Sequence, residues 1–366
     1  MKILWINHRD PHHPQAGGAE VRLMEISKRL VKKGHDITLL CERWSGSQKH
    51  ETIEGVEIVR SSGKYGIHLK VPFLLNQYRD YDLVIDDVAH AVPWYSPLFT
   101  SKPVVCQVHH VHQDVLRFEL NPLLSTVVSL SERSVKIPYK NILTVSQSTK
   151  TELIRRFGIA QNRIRIIPNG VDSKYYSPGE KSSYPTILSV GRLKRYKRVD
   201  HIIRAFKIVN NSVPNAKLIV VGDGEHIDQL RSLVNNERIV NVEFKGKVSD
   251  DEKKELMASS WLSVTASTAE GWGMTILENA ACGTPCVAYD VAGVSDSIQN
   301  GRTGILVEDG NITALADGVM QLINDEPTRL SLGSAAVEYA KLFDWDYIAR
   351  EFVFALEGLY ESNNNS

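Results

Sequence analysis

TILSVGRLKRYKRVDHIIRAFKIVNNSVPNAKLIVVG, residues 186–222, runs from a compact Val/Ile/Leu segment through a basic loop and an amphipathic stretch into a second apolar segment. Short apolar runs suit strands buried on both faces, and the spacing between them is helical, so the stretch predicts a βαβ unit. Its first loop then falls at the carboxyl end of a strand, where open sheets bind ligands. ILWINHRDPHHPQAGGAEVRLMEISKRLVKKGHDITLLC, residues 3–41, opens the chain in the same way: strand, long loop, glycine pair, helix ending at Gly34, strand. The two stretches are alike in plan and not in sequence.

The alternation continues along the chain. DLVID (82–86), PVVCQV (103–108) and NILTV (141–145) follow in the first half, and VEFKG (242–246), LSVTA (262–266), CVAYD (286–290) and GILVE (304–308) in the second. Strand and helix in alternation argue for two α/β domains, each a doubly wound parallel sheet. Ser, Pro, Gly and charge break the periodicity at VDSKYYSPGEKSSYPT (171–186), which sets the expected domains at 1–175 and 182–345. The polar tail ESNNNS (361–366) is expected to be disordered.

Composition narrows the classes of function. The 366 residues are 42% hydrophobic and 23% charged, ordinary values for two globular domains. Cys41, Cys106, Cys282 and Cys286 show no CxxC spacing, so neither a zinc site nor a disulfide framework is expected, and a reducing, cytoplasmic setting fits. MKILWINHRD turns polar too early for a signal peptide, and no run of about 18 apolar residues offers a membrane span. Basic and acidic side chains balance at 43 each, yet residues 1–175 hold 24 basic against 17 acidic. A basic first half favours an anionic acceptor or peripheral contact with an anionic membrane surface; a plain difference in solvated charge also accounts for it. No nucleic-acid partner is expected.

Gly17 and Gly18 precede a helix beginning near Ala19, where the backbone can approach a phosphate or sugar and hand it to a helix N-terminus; a tight turn also explains them. Arg192 ends a strand and Lys197 lies five residues on, and a strand end carrying two cations above a sheet invites a diphosphate; a basic solvated loop also explains them. Neither GxGxxG nor GxxxxGK[ST] stands at these loops, which counts against a dinucleotide site or a P-loop. In EGWGMTILENAACGTP (270–285), a helix starting between Gly273 and Thr275 turns the amides of Trp272, Gly273, Met274 and Thr275 outward as an anion site. Glu270 then precedes the helix start and Glu278 follows it by about one turn, roughly 5 Å. Carboxylates repel phosphate, so this pair suits neutral hydroxyls on either side of it, one on a sugar and one on a ribose.

EGWGMTILENAACGTPCVAYDVAGVSDSIQNGRTGILVEDGN (270–311) resembles the signature segment of retaining nucleotide-sugar glycosyltransferases of glycosyltransferase family 4, in which a Glu, seven intervening residues and a second Glu recur. The likeness extends over most of the chain, through GGAE (17–20), a histidine after VVCQV, PNGVD (168–172), GRLKRYK (191–197), VVGDG (220–224) and the paired glutamates. It implies the GT-B fold: two Rossmann-like doubly wound parallel-sheet domains facing a central cleft. The acceptor-side domain would span 1–175, the donor domain 182–345, and a last helix, 346–361, would cross back to pack on the first. The resemblance further implies that Arg192 and Lys197 bind the donor diphosphate. Glu278 would hold the ribose, and Glu270 with the amides of Trp272, Gly273, Met274 and Thr275 the donor hexose. Gly17 and Gly18 would shape the first domain's wall of the cleft. The family offers one histidine after its strand, where this chain has His109, His110 and His112; His109 is assigned the role, with His110 as the alternative. His8, His12 and His13 have no role beyond lining the acceptor side.

The implied reaction is hexosyl transfer from a UDP- or GDP-linked sugar to a hydroxyl of a glycan or lipid-linked acceptor, by same-face departure and attack. Two cations and a helix N-terminus would neutralise the leaving diphosphate, and domain closure would exclude water. No metal or other cofactor is called for: DYD (80–82) and DWD (344–346) match a DxD pattern, but one precedes a strand and the other opens the last helix. DVLRFELNPLLSTVVSLSERSVKIPYK (114–140) reads either as a core helix or as an amphipathic surface for a lipid-linked acceptor. A nucleotide-sugar epimerase, a sugar phosphorylase or a non-catalytic sugar-nucleotide-binding protein would share this architecture.

Overall fold

In the computed structural model, which describes residues 1–63 and 66–364, the apolar runs become two sheets. One belongs to a unit made of Met1–Asn169 and the chain from Trp345 onward, the other to Gly170–Asp344. The first unit runs β1 (Lys2–Ile6), α1 (Gly18–Lys32), β2 (Asp36–Cys41), β3 (His50–Ile53), β4 (Val56–Arg60), α2 (Gly66–Gln77), β5 (Leu83–Val88), β6 (Val104–Val108), α3 (Gln113–Glu119), α4 (Pro122–Arg133), β7 (Asn141–Thr144), α5 (Gln147–Phe157) and β8 (Ile164–Ile166). Its strands lie in the order β3-β4-β2-β1-β5-β6-β7-β8. Every residue of β5 and β6 is buried, as the runs LVIDDV and VVCQV require of central strands.

This sheet departs from the sequence reading at its edges. β3, β4 and β8 are strands that the apolar runs did not mark, and β3 is antiparallel to β4, so the sheet is not wholly parallel. Glu54 (φ 51°) and Gly55 (φ 81°) make the left-handed two-residue turn between Ile53 and Val56 that a tight hairpin needs. The stretch 114–140 divides between the two readings: Val115, Leu116, Val135 and Tyr139 are buried in the core, whereas α4 between them buries Glu132 and no leucine.

The second unit runs β9 (Thr186–Val190), α6 (Val199–Ser212), β10 (Lys217–Val221), α7 (Ile227–Asn236), β11 (Val242–Gly246), α8 (Asp250–Ser259), β12 (Leu262–Thr265), α9 (Met274–Ala281), β13 (Cys286–Tyr289), β14 (Gly304–Val307), α10 (Ile312–Asn324) and α11 (Glu326–Lys341). All its strand pairs are parallel, in the order β11-β10-β9-β12-β13-β14. The direction of winding therefore reverses between β9 and β12, the position at which such sheets take their ligands. The VVGDG motif serves this edge: a Cβ on Gly222 would lie 1.9 Å from the Gly191 carbonyl oxygen, so the turns after β9 and β10 touch backbone to backbone.

α12 (Trp345–Asn364) returns to the first unit, where the Phe352 ring stacks on Trp5 at 5.4 Å and Arg29 Nε lies 2.6 Å from Asp346. Residues 361–364 thus continue a helix rather than form a disordered tail, and 365–366 lie outside the described residues. Arg22 of α1 is fully buried and donates to the carbonyls of Ile167 and Pro168 and to Asn169 Oδ1, at 3.0, 2.6 and 3.0 Å, which fixes the start of PNGVD. Burial pushes its guanidinium down to about 9, against the pull of Asp87. The Val171 N–H already donates to Phe343 of the second unit at 2.8 Å. The divide accordingly falls at Asn169/Gly170, just ahead of the compositional break at 171–186.

Candidate active site

The turns that follow β9 and β12 are knitted together by their own side chains. Lys197, in the turn leading to α6, forms an ion pair with Glu270 Oε1, and Ser267 donates its hydroxyl to the same oxygen at 2.6 Å. Burial alone would lower the Lys197 ammonium, but Glu270 outweighs it and holds the group above its ordinary value. Arg198 takes a left-handed conformation (φ 48°) to start α6 and donates to the carbonyls of Ala266 and Ser267 at 2.8 and 3.1 Å. The Thr268 N–H closes the join on the Tyr196 carbonyl at 2.8 Å. Arg192 is exposed, with Nη2 3.4 Å from the Tyr196 hydroxyl. A pocket opens here at the reversal of the sheet, lined by Gly191, Arg192, Lys197, Ser267, Glu270 and Thr275.

On the other side of Glu270 the chain turns into α9. The Glu270 N–H donates to the Ala292 carbonyl at 3.0 Å, and a Cβ on Gly293 would meet the Glu270 carbonyl oxygen at 1.9 Å, so the segment after β13 presses directly on this backbone. Trp272 is buried against Phe343, with ring centroids 5.1 Å apart, and it precedes the N-cap Gly273, so its indole packs and its amide lies ahead of the helix start to which the sequence assigns it. Gly273 caps α9 in the left-handed region (φ 31°), where a Cβ would meet Ile276 Cδ1 at 2.6 Å and Ser297 Oγ at 2.8 Å. No side chain caps this helix, so its first amides, at Met274 and Thr275, keep the anion-binding character of a bare N-terminus. Glu278 stands one turn along with Lys253 Nζ 3.3 Å away, and that ammonium lies 5.3 Å over the Tyr176 ring. Burial pushes the Glu278 carboxyl up, and Lys253 and Tyr176 pull it part of the way back.

Lys197, Arg192, Glu270 and Thr275 are thus brought into one pocket, with Gly273 and Met274 at the helix start beside it and Glu278 in a second set of partners. Ser267, Arg198, Lys253, Tyr176 and Gly293 do not stand out in the sequence. His109, Gly17 and Gly18 belong to the first unit. His109 is buried at the end of β6, with Nε2 2.7 Å from Asp87 Oδ1; the carboxylate also accepts from Trp5 Nε1 at 3.2 Å. The Asp87 contact makes Nε2 the ring nitrogen that is engaged within the unit. His112 is held by Glu132 at 3.0 Å and by the Ala89 carbonyl at 3.2 Å, and the His110 ring lies 3.9 Å from it. Gly17 opens α1, its N–H donating to Glu20 Oε2 at 2.7 Å, with Gly18 the first helical residue. His12 and His13 face Glu51 and Glu42 at 3.3 and 3.4 Å, while His8 packs among His68, His90 and Trp94.

Neither DxD match is a cluster of carboxylates. Asp80 pairs with Lys2, Asp82 accepts the Lys2 N–H at 2.8 Å, and Asp344 accepts the Ser173 hydroxyl at 3.1 Å. The four cysteines are free and buried, and among the described residues no helix is long and apolar enough to cross a membrane.

Two family models match the chain: Glycosyltransferase Family 4 over residues 16–175 and Glycosyl transferases group 1 over residues 175–339. The N-acetyl-alpha-D-glucosaminyl L-malate synthase of Bacillus anthracis is 26% identical over 350 residues, covering 89% of this chain and 90% of that protein. A GDP-mannose-dependent alpha-(1-6)-phosphatidylinositol monomannoside mannosyltransferase of Mycobacterium tuberculosis is 23% identical over 389 residues and covers 98% of each. Among solved structures, HepE of Anabaena in complex with UDP-glucose superposes with a TM-score of 0.78 at 21% identity, over 98% of this chain and 100% of that one.

Proposed function

This chain belongs to glycosyltransferase family 4, the glycosyl transferases group 1, with the GT-B fold, and from that premise we propose a retaining enzyme that moves a hexosyl group from a UDP- or GDP-linked sugar to a hydroxyl of a glycan or lipid-linked acceptor. The observation that carries this reading is the Lys197–Glu270 pair beside the uncapped start of α9, at the reversal of the second sheet. A cation and a bare helix N-terminus suit a diphosphate, and a carboxylate held by the same cation suits the hydroxyls of the attached sugar. The relatives support a sugar-nucleotide donor, since one is described as GDP-mannose-dependent and another was crystallised with UDP-glucose. Their acceptors, L-malate and a phosphatidylinositol mannoside by name, differ in kind, so the acceptor is proposed by class only.

In the proposed step the C1–O bond to the diphosphate breaks as the acceptor oxygen bonds C1 on the same face, and the acceptor proton passes to the departing phosphate oxygen. Lys197, Arg192 and the amides of Met274 and Thr275 neutralise the charge that grows on the leaving group. Glu270, with the amides that follow it, holds the hexose, and Glu278 the ribose. The reading requires no metal and places the protein in the cytoplasm, in peripheral contact with an anionic membrane surface.

A panel of UDP-, GDP- and ADP-sugars scored by thermal shift and nucleotide release tests it. One donor should stabilise the fold, by about 2.7 kcal/mol at a hundredfold excess over Kd, and nucleotide release should depend on acceptor. If no sugar nucleotide raises the melting temperature, the donor reading is lost. An epimerised sugar formed without acceptor, or turnover on phosphate alone, would assign the epimerase or the phosphorylase instead.

The Glu278 carboxylate must be ionised to accept two ribose hydroxyls. Because its folded pKa is raised, donor affinity should fall as pH drops through a range above that of an ordinary glutamate. Titration calorimetry at descending pH should show this for the wild type. Glu278→Gln should bind more weakly at neutral pH and lose the acid limb; an unchanged limb in the variant removes Glu278 from the ribose.

A further inference from the structure

α4 presents an apolar face to solvent. Its sequence PLLSTVVSLSER buries Glu132, 2% exposed, whose carboxylate accepts the His112 backbone N–H at 2.6 Å, while Leu123, Val127 and Leu130 are 78%, 56% and 61% exposed. Their spacing puts all three on one stripe of the helix. The neighbouring surface repeats the pattern: Leu69 and Phe73, four residues apart on α2, are 78% and 76% exposed, and Ile137, just past α4, is 75% exposed. α2 packs on the turn Ser96–Leu98, and Tyr95, which opens that turn, places its hydroxyl 3.2 Å from Ser131 of α4 and 2.8 Å from Ser134. The two helices therefore flank one short turn. Surfaces of soluble proteins seldom gather this much large apolar side chain without a partner.

Charge selects the partner. α2 carries Lys70 and no acid, α4 exposes Arg133 and hides its only acid, and Lys136 and Lys140 follow, both exposed. An apolar stripe rimmed by cations matches an anionic bilayer, whose acyl boundary takes the leucines and whose headgroups take the ammonium and guanidinium groups. A second copy of the chain would bring like charges together. We propose that the exposed stripe of α4, with Leu69 and Phe73 of α2 and Ile137, docks this unit on an anionic lipid surface. The inference deepens the reading of a membrane-linked acceptor and draws nothing from the donor pocket.

The test is flotation of the full chain with vesicles of phosphatidylcholine, with and without phosphatidylglycerol, in low and high salt and with no sugar nucleotide present. The donor panel is thus independent of its outcome. The wild type should bind the phosphatidylglycerol vesicles alone and release as salt screens the ionic part. Leu123→Glu/Leu130→Glu should bind about tenfold more weakly or worse, and because both positions are exposed its melting temperature should match the wild type. Arg133→Glu/Lys136→Glu should weaken binding and its salt dependence together. Absence of wild-type binding at low salt, or undiminished binding by the leucine variant, overturns the proposal. A concentration-dependent dimer that the leucine variant dissolves, without vesicle binding, overturns it in favour of a second copy.

Discussion

Lys197→Met should slow nucleotide release from the donor by about 100-fold or more while the chain remains folded. The side chain reaches into the pocket at the reversal of the second sheet, and its ammonium is held there by Glu270, whose Oε1 also accepts the Ser267 hydroxyl. Methionine keeps most of the volume and removes the charge, so packing is kept while the ion pair with Glu270 and the proposed stabilisation of the leaving diphosphate are lost. Arg192→Ala should cost less, because that side chain is exposed and its charge is screened by water. The pair also couples. Lys197→Met/Glu270→Gln should lose less than the product of the two single losses, since each single change strands the other member of the ion pair. Nucleotide release by Lys197→Met at the wild-type rate would remove this residue from the chemistry.

The sheets are legible in the sequence because central strands such as LVIDDV and CVAY are buried at every position, and their apolar runs stand out from helical spacing. β3 and β4 are not, since HETI is a partly polar edge strand and VEIVR beside it carries two charged residues in five; the cue that marks them is the Glu54-Gly55 turn between two β-branched flanks. Arg192, Lys197 and Glu270 can be found because cations after one strand and an acid after another converge wherever the winding of such a sheet reverses. Glu278 is legible, but its partners are not. Lys253 lies in DDEKKELM, which reads as a solvated acidic helix, and Tyr176 lies in the connecting segment; only tertiary packing brings them to the carboxylate. The sequence leaves α4 open between core and surface because periodicity shows that a helix has an apolar face and not which way that face points.

Gly293→Ala should be among the most damaging single changes in the second unit, destabilising it by about 3 kcal/mol or more and lowering turnover in whatever fraction stays folded. Two penalties combine. The residue sits at φ 79°, where a side chain is strained, and its Cβ would fall 1.9 Å from the carbonyl oxygen and 2.4 Å from the carbonyl carbon of Glu270. Both atoms are backbone, so no rotamer can yield; the strand-to-helix segment carrying Glu270 must move instead. Displacing the Glu270 carboxylate by about 1 Å, given its proposed hold on the donor sugar, can cost on the order of 100-fold in rate. Gly310→Ala separates the two penalties, because Gly310 has nearly the same φ, 80°, and a Cβ added there would meet nothing within 4 Å. That variant should show only the conformational cost of about 1 kcal/mol and near wild-type turnover. Urea unfolding of the two variants, with nucleotide release measured on each, decides the matter. Equal losses of stability would mean that the backbone angle alone makes Gly293 necessary and that its contact with Glu270 adds nothing.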